Sequence, residues 1–344
     1  MASTPDQSAF TFLPLGGIIQ EIRVAGQNIV LGFPTQEHYV RYNSSYFGAT
    51  IGRTTNRLKD SVIKNLNGQT YTLTTKQGPN SLHGGKEGWD SKLFEGPKAV
   101  LRNGKEALEF KYLSLDAEEG YPGTVELRLW YTTGMEAAAE SGGRAKTVLE
   151  IEYEVEFIGN ECAETVVGVT NHTYFNLGDS LTIEGTEAVL ATDKYLPVDS
   201  TGIPLGTIEK YTSTEVKKPF LLGATSPDFD HCFVIDTDAV SIPVDTRFRP
   251  LCLNAAFKHL VTGIHLEVQS TEPAFQFYTG EFINAPPVGD APPRGPRSGF
   301  CVEPSRYINA PNEPAWRSMS VLKQGQVWGS KIVYKVWKEK TTRE

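Results

Sequence analysis

Between Leu149 and Phe157 the chain reads Leu-Glu-Ile-Glu-Tyr-Glu-Val-Glu-Phe, apolar and acidic residues alternating without a miss. Successive side chains of an extended segment point to opposite faces. This period of two therefore puts five apolar groups on one face and four glutamates on the other. Val125–Tyr131 and Lys331–Trp337 carry the same pattern less strictly. Turn residues recur at short intervals, at Asn67-Gly68, Gly78-Pro79-Asn80, Asn103-Gly104, Asp116 and Gly159-Asn160. Regular strands punctuated in this way predict an all-β antiparallel sandwich rather than alternating strand–helix units.

Helix signals are weak. Glu136-Ala-Ala-Ala-Glu140 has the composition for a turn or two, but Ser141-Gly142-Gly143 stops it. The segment reads better as part of a mobile hairpin loop over about 133–146, between strands ending near Tyr131 and starting near Lys146. The Pro-rich stretch 284–298 lacks the amide donors that helix or central strand requires, so it reads as an irregular surface loop. Strand pattern resumes directly on both sides, which argues against a domain linker. With no internal repeat, residues 1–344 are expected to form a single domain.

Composition narrows the partners. The net charge is -8 and no block of Lys or Arg stands out, which disfavours nucleic acid and anionic membrane. No apolar run is long enough to span a bilayer, and the N-terminal residues lack a signal-peptide pattern, so a cytoplasmic location is expected. Cys162, Cys232, Cys252 and Cys301 are scattered among apolar neighbours and read as buried free thiols. There is no dinucleotide-binding glycine fingerprint, and Gly85-Lys86 lacks the flanking residues of a phosphate loop. No Gly-x-Ser-x-Gly elbow occurs, and no His/Cys/Asp cluster has metal-ligand spacing. Neither a metal nor a cofactor is expected.

Polar groups set in apolar or glycine-rich contexts are what remains. His172 follows the apolar run Thr165–Thr170; a histidine there is either a satisfied core residue or a general acid titrating near neutrality. Glu303 closes the apolar run Gly299–Val302 ahead of Pro304, taken as strand-breaking, and reads as a strand-end ion-pair partner or a general base in a partly dry pocket. Asn56 and Arg57 follow the strand-like Phe47–Ile51, and His83 sits on a glycine-rich turn that permits close ligand approach. Asp230 and Gln276 stand among aromatics, a setting that suits sugar hydroxyls and the apolar face of a pyranose but also an ordinary sandwich core. Taken singly, each of these has a structural reading.

Taken in order, they resemble the aldose 1-epimerases, or galactose mutarotases. Phe47–Arg57, Pro79–Gly85, Glu118–Gly123, Thr170–Leu177, Tyr195–Asp199 with Ile203-Pro204, Asp230-His231, Gln276–Gly280 and Gly299–Glu303 are similar to that family's motifs and follow its sequence. The resemblance runs from about Val30 to the last strand. It implies a galactose mutarotase-like β-supersandwich of long antiparallel sheets with an open sugar cleft on one sheet. Residue by residue, it implies Glu303 as catalytic base and His172 as catalytic acid, with Asn56, Arg57, His83, Asp230 and Gln276 holding the sugar. Pro304-Ser305 stands where the family usually has Thr-Gln, and the Pro-rich loop also differs.

The implied reaction interconverts the α and β anomers of a free hexose, without metal or nicotinamide. Its starting state pairs an ionised Glu303 with a protonated His172, populated chiefly between their ordinary pKa values of about 4.3 and 6.5, with the carboxylate expected to raise the imidazole. Three other readings stay open. One is a glycoside hydrolase or lyase using Asp230 and Glu303, and another is a non-catalytic sugar-binding protein. The third is an epimerase of phosphorylated hexoses, for which Arg294 and Arg297 are the candidate cations. A monomer or weak homodimer acting on a monosaccharide is expected, and the preferred sugar is not legible.

Overall fold

In the computed structural model, which describes residues 9–138 and 144–339, strands dominate. The alternating segment lies in the strand Lys146–Phe157, paired in register with Val125–Glu136 on one side and Val327–Lys338 on the other. These three belong to a nine-stranded antiparallel sheet. It runs in the order Phe220–Leu222, Thr186–Leu190, Cys252–His259, Ile264–Ser270, Val327–Lys338, Lys146–Phe157, Val125–Glu136, Lys105–Ser114, Glu95–Arg102. The hairpin strands extend to Glu136 and from Lys146, so the hairpin loop is shorter than the sequence suggested. Its residues 139–143 lie outside the described ones.

A second antiparallel sheet has six strands, in the order Tyr174–Phe175, Phe300–Ser305, Ala274–Tyr278, Asp230–Val234, Lys194–Leu196, Glu209–Lys210. One face of each sheet builds a shared core. Leu149, Ile151, Tyr153 and Val155 enter it from the large sheet, and Phe233, Phe275, Phe277, Phe300 and Val302 from the small one. The Phe257 and Phe300 rings meet across it at 4.3 Å, and Phe175 and Tyr334 at 5.1 Å. Each fully buried side chain of this size contributes about 1.5–3 kcal/mol of transfer free energy.

Because the core takes alternate positions, the residues between them are turned to the other face of the small sheet. Glu303 and Cys301 alternate with Val302 and Phe300, and Gln276 and Tyr278 with Phe275 and Phe277. Register then brings Glu303 beside Gln276, Cys301 beside Tyr278, and Tyr278 beside Asp230. This period of two positions the site.

Two expectations, on Pro304 and on the thiols, need correction, and the sheet adds a feature that the alternation does not report. Pro304 does not end its strand, which continues to Ser305. Along the Phe300–Ser305 strand, the neighbouring Tyr174–Phe175 reaches only Phe300 and Cys301, so at position 304 only one flank needs ladder bonds and the missing amide is tolerated. Glu152 and Glu154 are buried on the outer face of the large sheet, under Arg102 and Arg247. Of the four thiols, Cys232 and Cys301 are buried, Cys162 is half-buried and Cys252, opening its strand at a sheet end, is exposed. A short helix that the sequence reading did not anticipate, Gln36–Tyr42, has Glu37 in its first turn and Arg41 in its last, matching the helix dipole. The Pro-rich loop is pinned by the isolated bridges Ala285–Arg294 and Val288–Ala291.

Candidate active site

On the outward face of the small sheet, Glu303 and His172 meet. His172 ends the strand Thr170–His172, which pairs with Ala49–Ile51, while Glu303 comes from Phe300–Ser305. His172 Nε2 and Glu303 Oε1 are 3.6 Å apart, and both residues are 4% exposed. They line a cavity of about 230 Å³ together with Asn56, Arg57, His83, Asp230 and Gln276. All seven residues singled out from the sequence therefore open onto one space.

Each wall is built locally. Asn56 has φ 50° and His83 φ 51°, and the His83 amide donates to Asn56 O at 3.0 Å while the Asn56 amide donates to His83 Nδ1 at 3.3 Å. These two bonds tie the loop before Arg57 to the turn after Ser81–Leu82. The turn depends on Gly84, at φ 82°, where a Cβ would overlap Gly52 O. Arg57 is aimed by Gln77, which accepts from its Nε at 2.7 Å, and by Asn56 Oδ1 at 3.1 Å. Opposite, Gln276 Nε2 donates to Asp230 Oδ1 at 2.6 Å, which leaves the buried Gln276 Oε1 with no partner among the described residues. A buried acceptor without a partner is costly unless a ligand donor satisfies it. A hydroxyl would do so.

Burial sets the protonation of the pair. It pushes the Glu303 carboxyl up to about 8, with the Asp230 charge adding to the rise and Arg57 opposing it. It pushes the His172 imidazole down to about 4. The expectation that a neighbouring carboxylate would raise His172 is overturned, because desolvation of the imidazolium outweighs the pairing. Near neutrality the two groups, although within ion-pair distance, share one proton and no net charge. His83 is also held neutral, by burial and then by the neighbouring His172, Lys76 and Arg57. With its Nδ1 accepting from Asn56, its proton sits on Nε2.

The absence of metal spacing along the chain does not carry over into space. His83, His172 and Glu303 offer atoms within 4.8 Å of one another. The tautomer of His83, however, presents an N–H rather than a lone pair, so the set is better matched to a hydroxyl-rich ligand than to a cation. Arg294 and Arg297 do not serve the cleft. Arg297 is buried against Asp228 and the carbonyls of Gly223 and Pro227, and Arg294 lines a separate cavity.

Several residues at the site escaped the sequence reading. Tyr46, at φ 63°, packs its ring 4.8 Å from His83 and 5.4 Å from His172, with Lys76 Nζ 4.8 Å above it. A tyrosine in the left-handed region is strained, but nothing in Ser44-Ser45-Tyr46 signals that conformation. Gln77, Tyr174, Tyr278 and the exposed Phe282 also line the cavity. The Gly-Pro-Asn turn beside Gln77 and the alternation at Tyr278 were the signals available for two of them.

An all-β sandwich bearing a Glu–His pair, hydroxyl-matching groups and aromatic walls defines a site suited to a hydroxyl-rich ligand. The sequence pattern of the family described as aldose 1-epimerase matches residues 2–335. The chain is 36% identical over 297 residues to the galactose mutarotase of Homo sapiens, covering 83% of this chain and 78% of that one. It is 37% identical over 331 residues to the bifunctional protein GAL10 of Pachysolen tannophilus, where it covers 93% of itself but spans only 44% of that relative's length. A solved structure of the GalM/aldose epimerase homologue from C. elegans superposes with a TM-score of 0.78 at 23% identity, over 96% of each chain, which supports the fold. The chain belongs to the aldose 1-epimerase family, a family of carbohydrate epimerases.

Proposed function

We propose that this chain is a mutarotase that interconverts the α and β anomers of a free aldohexose by acid/base ring opening and reclosure. The observation that carries the proposal is the Glu303–His172 pair, 3.6 Å apart in a pocket lined with sugar-matching groups. In ring opening, the Glu303 carboxylate takes the proton from O1 and the O1–C1 bond becomes a carbonyl. The C1–O5 bond breaks, and its electron pair takes the Nε2 proton of His172. Rotation about C1–C2 and the reverse steps close the ring on the other carbonyl face. For ring opening the pair acts from its less populated one-proton state, carboxylate with imidazolium, and ends in the favoured one, carboxylic acid with imidazole, so its two one-proton states are the two ends of the step.

The other groups orient the sugar. Asp230 and the unpartnered Gln276 Oε1 accept from hydroxyls, while His83 Nε2–H and Arg57 donate, and Asn56 aims Arg57. Each well-placed acid or base is worth about 10²–10⁴ in rate. Among the described residues no helix is long and apolar enough to cross a membrane. Our reading is one domain acting as a monomer or weak homodimer in the cytoplasm on a monosaccharide. Polarimetry of freshly dissolved α-glucose and α-galactose is the test. Faster approach to the equilibrium rotation with protein than without supports the proposal, and no acceleration with either sugar, or cleavage of a glycoside instead, overturns it.

A further inference from the structure

Buried behind His172, on the side away from Glu303, lies a group that the ring-opening scheme does not use. Cys301 Sγ is 3.4 Å from His172 Nδ1. Cys301 is fully buried, two residues before Glu303 on the same strand and facing the same way, and it pairs with Tyr174 in register. One strand therefore touches both nitrogens of the imidazole, through Glu303 at Nε2 and through Cys301 at Nδ1. The other side chains around the ring are aromatic, Tyr174 at 5.1 Å, His83 at 5.2 Å and Tyr46 at 5.4 Å, with the charges of Arg57 and Lys76 beyond His83; burial lowers the imidazole, and a hydrogen bond to its own backbone opposes that.

We propose that Cys301 is a positioning residue for the mutarotase reaction, its sulfur accepting the Nδ1–H of His172 so that Nε2 alone exchanges a proton with the sugar. The inference rests on the reading of His172 as the acid. In both one-proton states of the pair, imidazolium with carboxylate and imidazole with carboxylic acid, Nδ1 keeps its hydrogen and needs an acceptor. A thiol is a weak acceptor and a weak donor. It holds the ring in place while stabilising the imidazolium less than a carbonyl or carboxylate at that position would. The proton on Nε2 is correspondingly easier to give to O5. Burial pushes the thiol far above its ordinary value, so it stays S–H and adds no charge beside the imidazole.

The test uses Cys301→Ala and Cys301→Ser, polarimetric kcat and KM across pH, and nitrogen NMR of histidine-labelled wild-type protein. Cys301→Ala is expected to lower kcat roughly tenfold with KM within about twofold, as removal of an orienting partner does elsewhere. Cys301→Ser, whose oxygen is the better acceptor, is expected to recover part of kcat and to move the acidic limb of the profile up by about one unit. In the wild type near pH 6, His172 is expected to show Nδ1 protonated. Wild-type kcat and profile in the alanine variant would overturn the proposal. So would a serine variant that copies the alanine variant with an unmoved limb, or an unprotonated Nδ1. Absence of mutarotation in the wild type would instead sink the functional reading, while the NMR would still report on the Cys301–His172 bond.

Discussion

Two buried glutamates of this chain, both on strands of alternating pattern, are held in opposite ways. Glu152, on the outer face of the large sheet, accepts from Arg102 Nε at 3.0 Å, with Lys331 Nζ at 3.5 Å and an Arg247 nitrogen at 3.6 Å. Burial pushes its carboxyl up, but the Arg102 bond and the charges of Arg102, Lys331 and Arg247 outweigh that and leave it below its ordinary value. Glu303 is more deeply buried and, among the described residues, has no cation bonded to it; Arg57 acts on it only through space, and burial with Asp230 leaves it near 8. A carboxylate with cations at hand is fixed and inert. One denied them is left with a proton to trade, which marks a functional site.

The sharpest way to break this contrast is Glu303→Gln. The amide keeps shape and hydrogen bonding but cannot take a proton, so kcat by polarimetry should fall by about 10²–10⁴ while sugar still binds. Survival of most of the turnover would remove Glu303 from the reaction. Glu272 supplies the opposite extreme, a carboxyl buried against Arg306, which also donates to Met319 O and Val244 O. Glu272→Gln leaves the guanidinium uncompensated and should cost about 3–5 kcal/mol in denaturant unfolding, with kcat per folded molecule unchanged. A loss of kcat at full stability would show that the two regions are not separable as argued.

How far the sequence revealed this contrast depends on the level. The alternation of Leu149–Phe157 was enough to predict an antiparallel sandwich, because period two has one physical meaning. It said that Glu150–Glu156 share a face, but not that Arg102, from a distant strand, and Arg247, from a distant turn, bury two of them. The seven site residues were legible only as a set, through their order and the family resemblance, since each alone fits a structural role. Their burial and registry, which invert the pKa order of Glu303 and His172, depend on contacts between segments far apart in the chain. Periodicity does not report such contacts. The same is true of the Cys301–His172 contact and of the helix Gln36–Tyr42, whose signals are too short to stand out.

The pH dependence sharpens the comparison, with its sign fixed by the two directions. Glu303 is raised on folding, so its contribution to stability is intact below its ordinary 4.5 and lost as pH climbs through about 8. His172 is lowered, so its contribution is intact above 6.5 and lost as pH falls through about 4. Glu303→Gln should therefore be more stable than wild type at pH 9, on the order of a few kcal/mol, the difference shrinking towards pH 4.5. Unfolding curves across pH check this, and a variant with no alkaline advantage would mean the carboxylate is better solvated than its burial implies. The pair holds its single proton between the same limits. Turnover should follow a bell with limbs near 4 and 8 rather than 4.3 and 6.5, and a flat profile from pH 4 to 9 would count against the pair.

The smallest expected effect belongs to Glu152→Gln. Its removal takes a partner from Arg102, Lys331 and Arg247, but Arg102 and Arg247 keep Glu154, and Arg247 also keeps Asp245 through a 2.7 Å pair. Arg102 retains its stacking over Trp130 at 3.9 Å as well. A shared network loses less than an isolated pair, so the cost should be about 1 kcal/mol, smaller in high salt, with kcat and its pH limbs untouched. The side chain lies across the core from the cleft, on the sheet face that the glutamates share with solvent and arginines. If this substitution moved either limb of the activity profile, charge on the outer face would be reaching the Glu303–His172 pair through the sandwich. The separation between a fixed and a tradable carboxylate would then fail.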